Sequence, residues 1–409
     1  MEKRYEESYR IFEKAKRIIP GGVSKARVPH VPGLYPIYMQ RAKGSHVWDV
    51  DGNEYIDWMS GYGCIVLGHR FEEVDAAATA QMREGFISLL SHPIQNTLAE
   101  MLIDLIPCAE MVYFMKTGTD VASAAVRVAR IYTGRDMVVR WGYHGWSDWS
   151  LATIPEFSGG IPQCTKDLVR TLEYNNLNSL QRLFEEHPNQ IACVIMMPFE
   201  IDLPEPGYLS AVKRLCEENG AVLIFDEMRS GFRVSLGGAQ EYFGVTPHMA
   251  VVSKAMANGY AISAFLGRRD VMQAMDKGLF SATFFVSSLE MAASIATINV
   301  IKRDDVIGYI WKKGEKFLHG LAEICSGTRL DVEPVGVAPM PFLRFQMADE
   351  NLNQKVKMAF YAEAARLGVY FHPNHHWFVN FSHTDEDIER TLEVCEKSMR
   401  VAEKAADVG

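Results

Sequence analysis

The chain has 409 residues, of which 48% are hydrophobic and 23% are charged, a composition typical of a folded globular protein and not of a disordered or fibrous one. Its 42 basic and 51 acidic residues give a formal charge of -9, which disfavours nucleic acid or an acidic membrane as the main partner. The seven cysteines include no CxxC pair, so they predict neither a disulfide framework nor a zinc site. No run approaches the roughly 18 apolar residues of a membrane span, and the amino terminus lacks a signal-peptide core, so we expect a cytoplasmic protein.

The first part of the chain predicts a helix followed by a small antiparallel sheet. Residues 1–19 place apolar side chains at helical spacing, and the Pro-Gly-Gly of residues 20–22 ends the pattern. The stretch PIYMQRAKGSHVWDVDGNEYIDW then alternates strand-like runs with two glycine-containing turns. We expect residues 1–58 to form one part of a small domain.

From residue 59 to residue 300 helical patterns alternate with short apolar runs, which predicts a doubly wound α/β domain with a mainly parallel sheet. The strand candidates are MVYFM, MVVRW, IACVIMM, AVLIF and AVV, and the helix candidates include NTLAEMLIDLI, DVASAAVRVARIY and LSAVKRLCEENG. Residues 301–409 predict helices near 312–325, 354–367 and 385–404 around the strands PFLRFQ and HWFVNFS. The two ends of the chain therefore predict a single small α+β domain beside the large one.

Two of the predicted central strands end at residues whose side chains can take part in catalysis. AVLIF stops at Asp226, and MAVV stops just before Lys254. Parallel strands deliver their carboxyl-terminal residues to one crevice, so these two side chains can face one ligand. A lysine for a Schiff base and a carboxylate that keeps a pyridinium nitrogen protonated are what pyridoxal 5'-phosphate (PLP) chemistry requires. The alternative for each residue is a helix cap at Asp226 and a surface position for Lys254.

Two further stretches follow predicted strands. MVYFM leads through a polar turn with Gly118 and Thr119 into a helix, a layout that directs backbone N–H groups and a helix amino terminus at a phosphate. MVVRW leads into WGYHGWSDW, whose aromatic side chains belong either to the core or to a site at the same sheet edge.

The order of KTGTD, WGYHGW, FDEMRSGFR, VSKAMANGY and SATFFVSS resembles that of the class III, fold-type I aminotransferases, and within them most closely glutamate-1-semialdehyde aminomutase and its relatives. The resemblance extends from IPGGVSKAR and VWDVDGNEYIDW to LGVYFHP and FSHTDEDI, so it covers nearly the whole chain. It implies a PLP-dependent transferase fold with a mainly parallel sheet of the seven-stranded type. It also implies a homodimer with shared active sites.

Position by position, the resemblance also implies roles for single residues. Lys254 would form the Schiff base, and Asp226 would pair with the ring nitrogen. The remaining cofactor contacts that it implies are Gly118 and Thr119 on the phosphate, Tyr143 on one face of the ring, Met228 on the other face, and Thr283 on the phosphate of the neighbouring subunit. His144, next to Tyr143, is also assigned to cofactor binding.

Departures from the family's pattern mark the predicted substrate side. Trp146 and Trp149 stand where we expect smaller residues, and Met197 stands where the family usually has a glutamate. Arg27 lies one position from where the aminomutase's carboxylate-binding arginine would fall, with a surface arginine as the alternative.

A histidine-rich loop near the carboxyl terminus contains His375 and His376, which we also assign to the substrate side. The spacing of its histidines suggests metal ligands, but no carboxylate or thiol of suitable spacing accompanies them. We therefore expect no metal site.

Flat aromatic side chains with neutral histidines suit a hydroxyl-rich ring better than a small dicarboxylate. The sequence therefore predicts an aminotransferase that moves an amino group from an amino acid donor to the aldehyde or ketone of a sugar, a cyclitol or a similar metabolite. A simple amino-acid-derived carbonyl is the alternative acceptor. The cofactor residues do not separate transamination from an aminomutase or a racemase/epimerase reaction, whereas a non-catalytic PLP-binding scaffold is disfavoured by the intact Lys254, Asp226 and phosphate loop.

Overall fold

The computed structural model describes residues 5–23 and 38–407. The chain divides into two compact units, which we name the central unit (residues 73–307) and the terminal unit (residues 1–72 and 308–409). Both boundaries fall later in the chain than the predicted 58/59 and 300/301. Residues after 58 stay with the terminal unit because the backbone of His69 pairs with Gly44 and its ring bonds Asp57 at 2.8 Å.

The described residues form fifteen α-helices and thirteen strands. The helices are α1 (Glu6–Ala15), α2 (Ser60–Gly63), α3 (Glu72–Glu84), α4 (Ile94–Leu105), α5 (Gly118–Thr133), α6 (Asp148–Leu151), α7 (Gln163–Asp167), α8 (Leu177–Glu186), α9 (Tyr208–Glu218), α10 (Ala239–Tyr242), α11 (Arg269–Met272), α12 (Ser288–Arg303), α13 (Val306–Ser326), α14 (Glu350–Arg366) and α15 (Asp385–Asp407). The strands are β1 (Met39–Lys43), β2 (His46–Asp49), β3 (Glu54–Asp57), β4 (Met111–Met115), β5 (Met137–Trp141), β6 (Val169–Thr171), β7 (Ile191–Met196), β8 (Val222–Asp226), β9 (Met249–Val252), β10 (Ser263–Gly267), β11 (Val332–Val337), β12 (Met340–Phe345) and β13 (Val369–Tyr370). Within the described residues, no helix has both the length and the apolar character needed to cross a membrane.

The central unit contains a seven-stranded sheet in the order β4-β10-β9-β8-β7-β5-β6. Strand β10 runs antiparallel to its neighbours β4 and β9, and the other pairings are parallel. The five strands predicted from the sequence are confirmed as β4, β5, β7, β8 and β9, whereas β6 and β10 were not predicted. The carboxyl ends of the five predicted strands meet at one edge of the sheet.

The core of the central unit forms between this sheet and α5. All five residues of β8 are buried, as expected for a strand covered on both faces. Helix α5 begins with a capping box, in which Thr117 Oγ1 accepts from the backbone of Asp120 and the Asp120 carboxylate accepts from that of Thr117. Its buried face is rich in alanine and valine, which lets the helix lie close to the strands. The amino terminus of α5 is thereby fixed at the sheet edge that carries the predicted site.

The terminal unit contains a four-stranded sheet in the order β1-β2-β3-β13. The predicted antiparallel meander is confirmed as β1, β2 and β3, and β13 adds to β3 in parallel. The prediction of a strand over HWFVNFS is wrong. This segment is extended and buried, but its backbone N–H groups donate to separate segments, those of Trp377, Phe378 and Phe381 to the carbonyls of Pro341, Trp58 and Val66. No continuous ladder forms, so the hydrophobic pattern reports burial and not pairing.

Candidate active site

Asp226 and Lys254 lie at the ends of adjacent strands. Asp226 is the last residue of β8 and pairs in register with Val251 of β9, and Lys254 follows β9 after Ser253. Neighbouring strands lie about 4.8 Å apart, so both side chains start from the same stretch of the sheet edge. The backbone of Lys254 has a φ of 50°, a left-handed conformation that is costly for a side chain of this size. Such strain marks a position that the surrounding structure holds for a purpose.

The ring of His144 contacts Asp226 through one nitrogen and a backbone carbonyl through the other. His144 Nδ1 lies 2.6 Å from Asp226 Oδ2, and His144 Nε2 lies 3.0 Å from the carbonyl oxygen of Trp141. The side chains of His144 and Asp226 are 0% and 2% exposed. A carboxylate and a carbonyl are both acceptors. The two contacts of the His144 ring are therefore hydrogen bonds only when each contains a proton, so that His144 and Asp226 together hold two protons. His144 therefore orients the carboxylate.

The Asp226 carboxylate retains acceptor capacity. Its Oδ1 accepts a hydrogen bond from the backbone N–H of Met228 at 3.0 Å, so two donors reach the carboxylate within the described part of the chain. An ionised carboxylate offers about four acceptor positions. A protonated ring nitrogen fits this donor set, because it supplies the missing donor and a positive charge.

The predicted phosphate cradle consists of Gly118 and Thr119, the first residues of α5. The first N–H groups of a helix have no carbonyl one turn earlier, and the helix dipole adds positive potential there. A Cβ on Gly145, whose φ is 100°, would lie 2.0 Å from Thr119 Oγ1. Only glycine permits this approach of the turn after β5 to the start of α5. The cradle thus fits a phosphate group.

The side chains predicted on the ring faces line the same edge. A Cβ on Gly118 would meet Met228 Sδ at 3.0 Å, so the methionine lies directly against the phosphate loop. Tyr143 is 54% exposed, and partial burial raises the pKa of its hydroxyl. Trp146, three residues later, is 74% exposed, and Thr283 is also exposed, at the start of a short turn over Thr283–Val286. These placements agree with ring and partner contacts, which stay predictions.

Two residues of the central unit that were assigned to the substrate side are buried. Trp149 lies in the core of the central unit, where its Nε1 donates to Ser123 Oγ at 3.0 Å and its ring stacks on His144. It therefore supports the His144 ring, and its burial disfavours direct contact with a substrate. Met197 is also buried and packs against Gly142, where a Cβ would lie 2.7 Å from Met197 Sδ. The position predicted to lack an acid is thus an apolar wall.

Glu227, next to Asp226, fixes the loop that follows β8. It is fully enclosed and accepts from the backbone N–H groups of Ala239 at 2.7 Å and Gln240 at 2.9 Å, and from the hydroxyl of Ser230. Burial raises the pKa of this carboxyl group, and the hydrogen bonds offset part of the shift. Its role is to hold the loop, and with it Met228, in place.

The remaining predicted residues belong to the terminal unit. Arg27 lies outside the described residues. His376 is 3% exposed, and His375 Nδ1 contacts the backbone carbonyl of His376 at 2.9 Å while its ring meets the edge of Tyr62. Among residues 5–23 and 38–407, no group of three or more His, Cys, Asp or Glu side chains is arranged to hold a metal ion.

The site geometry agrees with the comparisons to known proteins. The family model of the class-III aminotransferases matches residues 28–399. A 3-aminobutyryl-CoA aminotransferase from Cloacimonas acidaminovorans (strain Evry) is 41% identical over 407 residues, 97% of each chain. The chain belongs to the class-III aminotransferases. PLP is therefore the cofactor of this aminotransferase, and the predicted enzyme class is confirmed.

Solved structures extend the comparison. The FumI protein of Sphingopyxis sp. MTA144, solved in its PLP internal aldimine form, is 31% identical with a TM-score of 0.91, covering 96% of this chain and 95% of that one. The predicted fold-type I architecture is confirmed. The closer resemblance to glutamate-1-semialdehyde aminomutase is not confirmed. The enzyme from Pseudomonas aeruginosa PAO1 is 19% identical with a TM-score of 0.87, covers 97% of this chain and 95% of that one, and shows the shared fold alone.

The sequence analysis named His144 but missed its bond to Asp226, 82 residues further along the chain. No local pattern indicates a contact of that separation. The supporting hydroxyl of Ser123 was missed for the same reason. The close approaches at Gly142 and Gly145 can be anticipated from the sequence, because the two glycines flank the Tyr143-His144 pair.

Proposed function

We propose that this aminotransferase acts on a 3-aminoacyl thioester of the coenzyme A type, with a 2-oxo acid as the partner substrate. The amino group moves from carbon 3 of the thioester to the oxo acid, which gives a 3-oxoacyl thioester and an amino acid. The observation that carries this proposal is the 41% identity, over 97% of both chains, to the 3-aminobutyryl-CoA aminotransferase.

The chemistry of the site is compatible with a thioester. Trp146 presents an exposed indole after the Tyr143 turn. Such an apolar surface suits the acyl chain of the substrate, whereas the charges of a coenzyme A thioester lie far from the reacting carbon, on the nucleotide part.

Each cofactor residue has a proposed task. Bound PLP supplies an electron sink for negative charge at the carbon that bears the amino group. Lys254 bonds the cofactor covalently and, once released, carries the proton between carbon atoms. Asp226, oriented by His144, holds the ring nitrogen protonated, and the N–H groups of Gly118 and Thr119 bind the phosphate.

The proposed assembly is a homodimer with shared active sites. Phe86, Ile87, Leu89 and Leu90 form an exposed apolar segment, and Leu89 is fully exposed. The backbone of this segment is tied to α12, because Ser288 N donates to the carbonyl of Phe86 at 3.0 Å. A contiguous exposed apolar segment marks an interaction surface. Its attachment beside the turn that starts at Thr283 supports a second copy of the chain as the partner.

A complementation experiment tests this assembly. A protomer with Lys254→Ala mixed with one carrying Thr283→Ala forms one intact site per heterodimer, so activity returns on mixing. The matched control is a mixture of two Lys254→Ala preparations, which stays inactive. Full activity of a species that sediments as a monomer would contradict the shared site.

A half-reaction screen tests the substrate. The yellow enzyme is mixed with 3-aminobutyryl-CoA, free 3-aminobutyrate, glutamate or alanine, and loss of the cofactor's visible absorbance reports amino transfer. We expect 3-aminobutyryl-CoA to react much faster than the free acid, which is its matched control. Equal rates for the two would contradict the thioester proposal.

The same screen separates the other acceptors. An oxo-sugar or oxo-cyclitol that restores the absorbance of the aminated enzyme faster than 3-oxobutyryl-CoA would favour the hydroxyl-rich substrate predicted from Trp146 and the histidine loop. Recovery with glutamate-1-semialdehyde would favour the aminomutase reaction. Racemisation of an added amine without amino transfer would favour an epimerase.

A further inference from the structure

A largely buried ion pair joins the start of the phosphate loop to the start of α12. Lys116 Nζ lies 2.7 Å from Glu290 Oε2, and the two side chains are only 15% and 19% exposed. Lys116 follows β4 directly and precedes Thr117, the residue that caps α5. Neither charge takes part in the chemistry described above, so the pair has another role.

The same carboxylate holds the segment that precedes α12. Glu290 Oε2 also accepts a hydrogen bond from Ser287 Oγ, and Ser287 closes the turn over Thr283–Val286 by donating its N–H to the carbonyl of Phe284. The next residue, Ser288, anchors the exposed apolar segment at Phe86. One carboxylate oxygen therefore contacts both the phosphate loop and the base of the segments proposed to face the partner subunit.

We propose that the Lys116–Glu290 pair is a positioning link that couples binding of the cofactor's phosphate to dimer assembly. It fixes the spacing between the chain's own phosphate loop and the turn whose Thr283 reaches the phosphate of the other subunit. This inference rests on the proposed phosphate contacts and homodimer. Phosphate bound at the loop holds the turn in the arrangement that the partner requires, and by linkage the partner strengthens phosphate binding by the same factor.

A purely electrostatic role for Lys116 makes the opposite prediction for Glu290. If Lys116 served only to attract the phosphate, removing the negative charge of Glu290 would strengthen PLP binding. If the pair is a link, removing either partner weakens PLP binding, because the remaining charge is left largely desolvated and the two segments lose their connection. The sign of the Glu290→Gln effect separates the two roles.

The experiment measures two equilibria in the apo and PLP-loaded protein. The dimer dissociation constant is determined by sedimentation with and without PLP, and the PLP dissociation constant by equilibrium dialysis. For the wild type we expect PLP to tighten the dimer about tenfold or more, within the usual range of coupling between sites. In Lys116→Met and in Glu290→Gln this ratio falls toward one, and PLP binding weakens about tenfold, the result of losing one partner of a desolvated pair.

Three further variants serve as controls for this experiment. The double variant loses no more than either single variant, since both remove the same contact. Lys116→Arg retains the pair and the coupling, so it identifies any effect of mere substitution. Lys316→Met, which removes a surface contact to Glu389 in the terminal unit, serves as the matched control and leaves both constants unchanged.

Tighter PLP binding in Glu290→Gln, or an unchanged coupling ratio in both single variants, would overturn the link. If Lys116→Met fails to fold, the comparison of Glu290→Gln with Lys116→Arg still decides. A wild type that stays monomeric at every concentration would overturn the dimer proposal together with this inference, a result that is visible before any variant is made.

Discussion

Both units contain histidines bonded to buried aspartates, and the pairs His46–Asp387 and His144–Asp226 differ in how many donors the carboxylate already has. In the terminal unit, Asp387 accepts from His46 Nε2 at 2.9 Å, from Ser45 Oγ at 2.8 Å and from the backbone N–H of Thr384 at 3.0 Å. In the central unit, Asp226 has two donors within the described residues, His144 and a backbone N–H. The fold fills more of the acceptor positions of Asp387, and Asp226 retains more capacity for a ligand.

The pairs differ also in their contact with solvent. The His46 side chain is 30% exposed, whereas that of His144 is fully buried. The hydrogen bond to Asp387 raises the pKa of His46, although burial opposes the shift. Burial opposes ionisation of Asp387 as well, but the bonds from His46, Thr384 and Ser45 outweigh it and lower the pKa of this carboxyl group. We infer that the larger spare acceptor capacity of Asp226 at a strand end, and not the His–Asp contact itself, distinguishes the pair that we propose to bind the cofactor.

The largest expected effect is that of Lys254→Ala. We expect turnover to be abolished, while cofactor is still bound through the phosphate and ring contacts. Borohydride reduction then fixes no cofactor to the variant. The matched control is Lys313→Met in the terminal unit, which removes a 10% exposed lysine paired with Asp385 at 2.8 Å and leaves turnover intact. Labelling of a different lysine in the reduced wild type would contradict the assignment of Lys254.

The next prediction concerns the replacement of each of the two aspartates by asparagine. Asp226→Asn is expected to lower kcat by about 10²–10³-fold, because a neutral ring is a poor electron sink, with a smaller change in stability. Asp387→Asn is expected to leave kcat unchanged and to lower the free energy of unfolding by about 2 kcal/mol, since buried donors lose a charged acceptor. Steady-state kinetics and urea unfolding of both variants check the pair of outcomes. Similar kinetic losses in both variants would break the distinction.

A smaller effect is expected from the histidine of the functional pair. His144→Phe preserves the stacking on Trp149 but removes the bond to Asp226 Oδ2, so the carboxylate loses its fixed orientation. We expect kcat to fall about 10–100-fold, a loss typical of residues that orient a functional ligand. His144→Asn, which can still donate to Asp226, is expected to recover part of the rate. A rate close to that of the wild type in His144→Phe, with a larger loss in His144→Asn, would show that the ring acts by packing alone.

The smallest expected effect is the pH dependence of the free energy of unfolding that comes from the His46–Asp387 pair. The pKa of His46 is raised, so the contribution of this histidine to the free energy of unfolding is complete below about pH 6.5, its pKa in the unfolded chain. The contribution is lost as the pH rises through the pKa in the folded protein. The lowered pKa of Asp387 means that its contribution is complete above about pH 4 and is lost as the pH falls through the folded value. The stability difference between wild type and His46→Gln is therefore largest between about pH 4 and 6.5. We expect less than about 1 kcal/mol, because the pair is partly solvated, and urea unfolding at pH 5.5 and 8.5 checks it. An equal difference at pH 5.5 and pH 8.5 would contradict the assignment.

The sequence predicts the parts of the fold that depend on local pattern. Continuous apolar runs mark the buried strands β4, β5, β7, β8 and β9, and the polar turn with Gly118 and Thr119 marks the start of α5. Strand β6 has three residues and β10 is an antiparallel insertion, so neither leaves a clear pattern. HWFVNFS has the hydrophobic pattern of a strand, but its backbone partners come from separate segments.

The candidate site divides in the same way. Lys254, Asp226 and Gly118 follow predicted strands, so their shared edge can be inferred from the topology alone. Contacts across long separations, such as that of His144 with Asp226, need the folded chain. The burial of Trp149 behind His144 could not be separated from a substrate contact in the sequence, because an aromatic residue serves either purpose.

The central claim is that the spare acceptor of Asp226 holds the ring nitrogen of the cofactor in its protonated form. The most direct measurement is the ¹⁵N NMR chemical shift of PLP labelled at the ring nitrogen and bound to the enzyme. We predict the shift of a protonated ring nitrogen in the wild type and in Asp387→Asn, and that of an unprotonated one in Asp226→Asn. An unprotonated ring nitrogen in the wild type, or a protonated one in Asp226→Asn, would contradict the account.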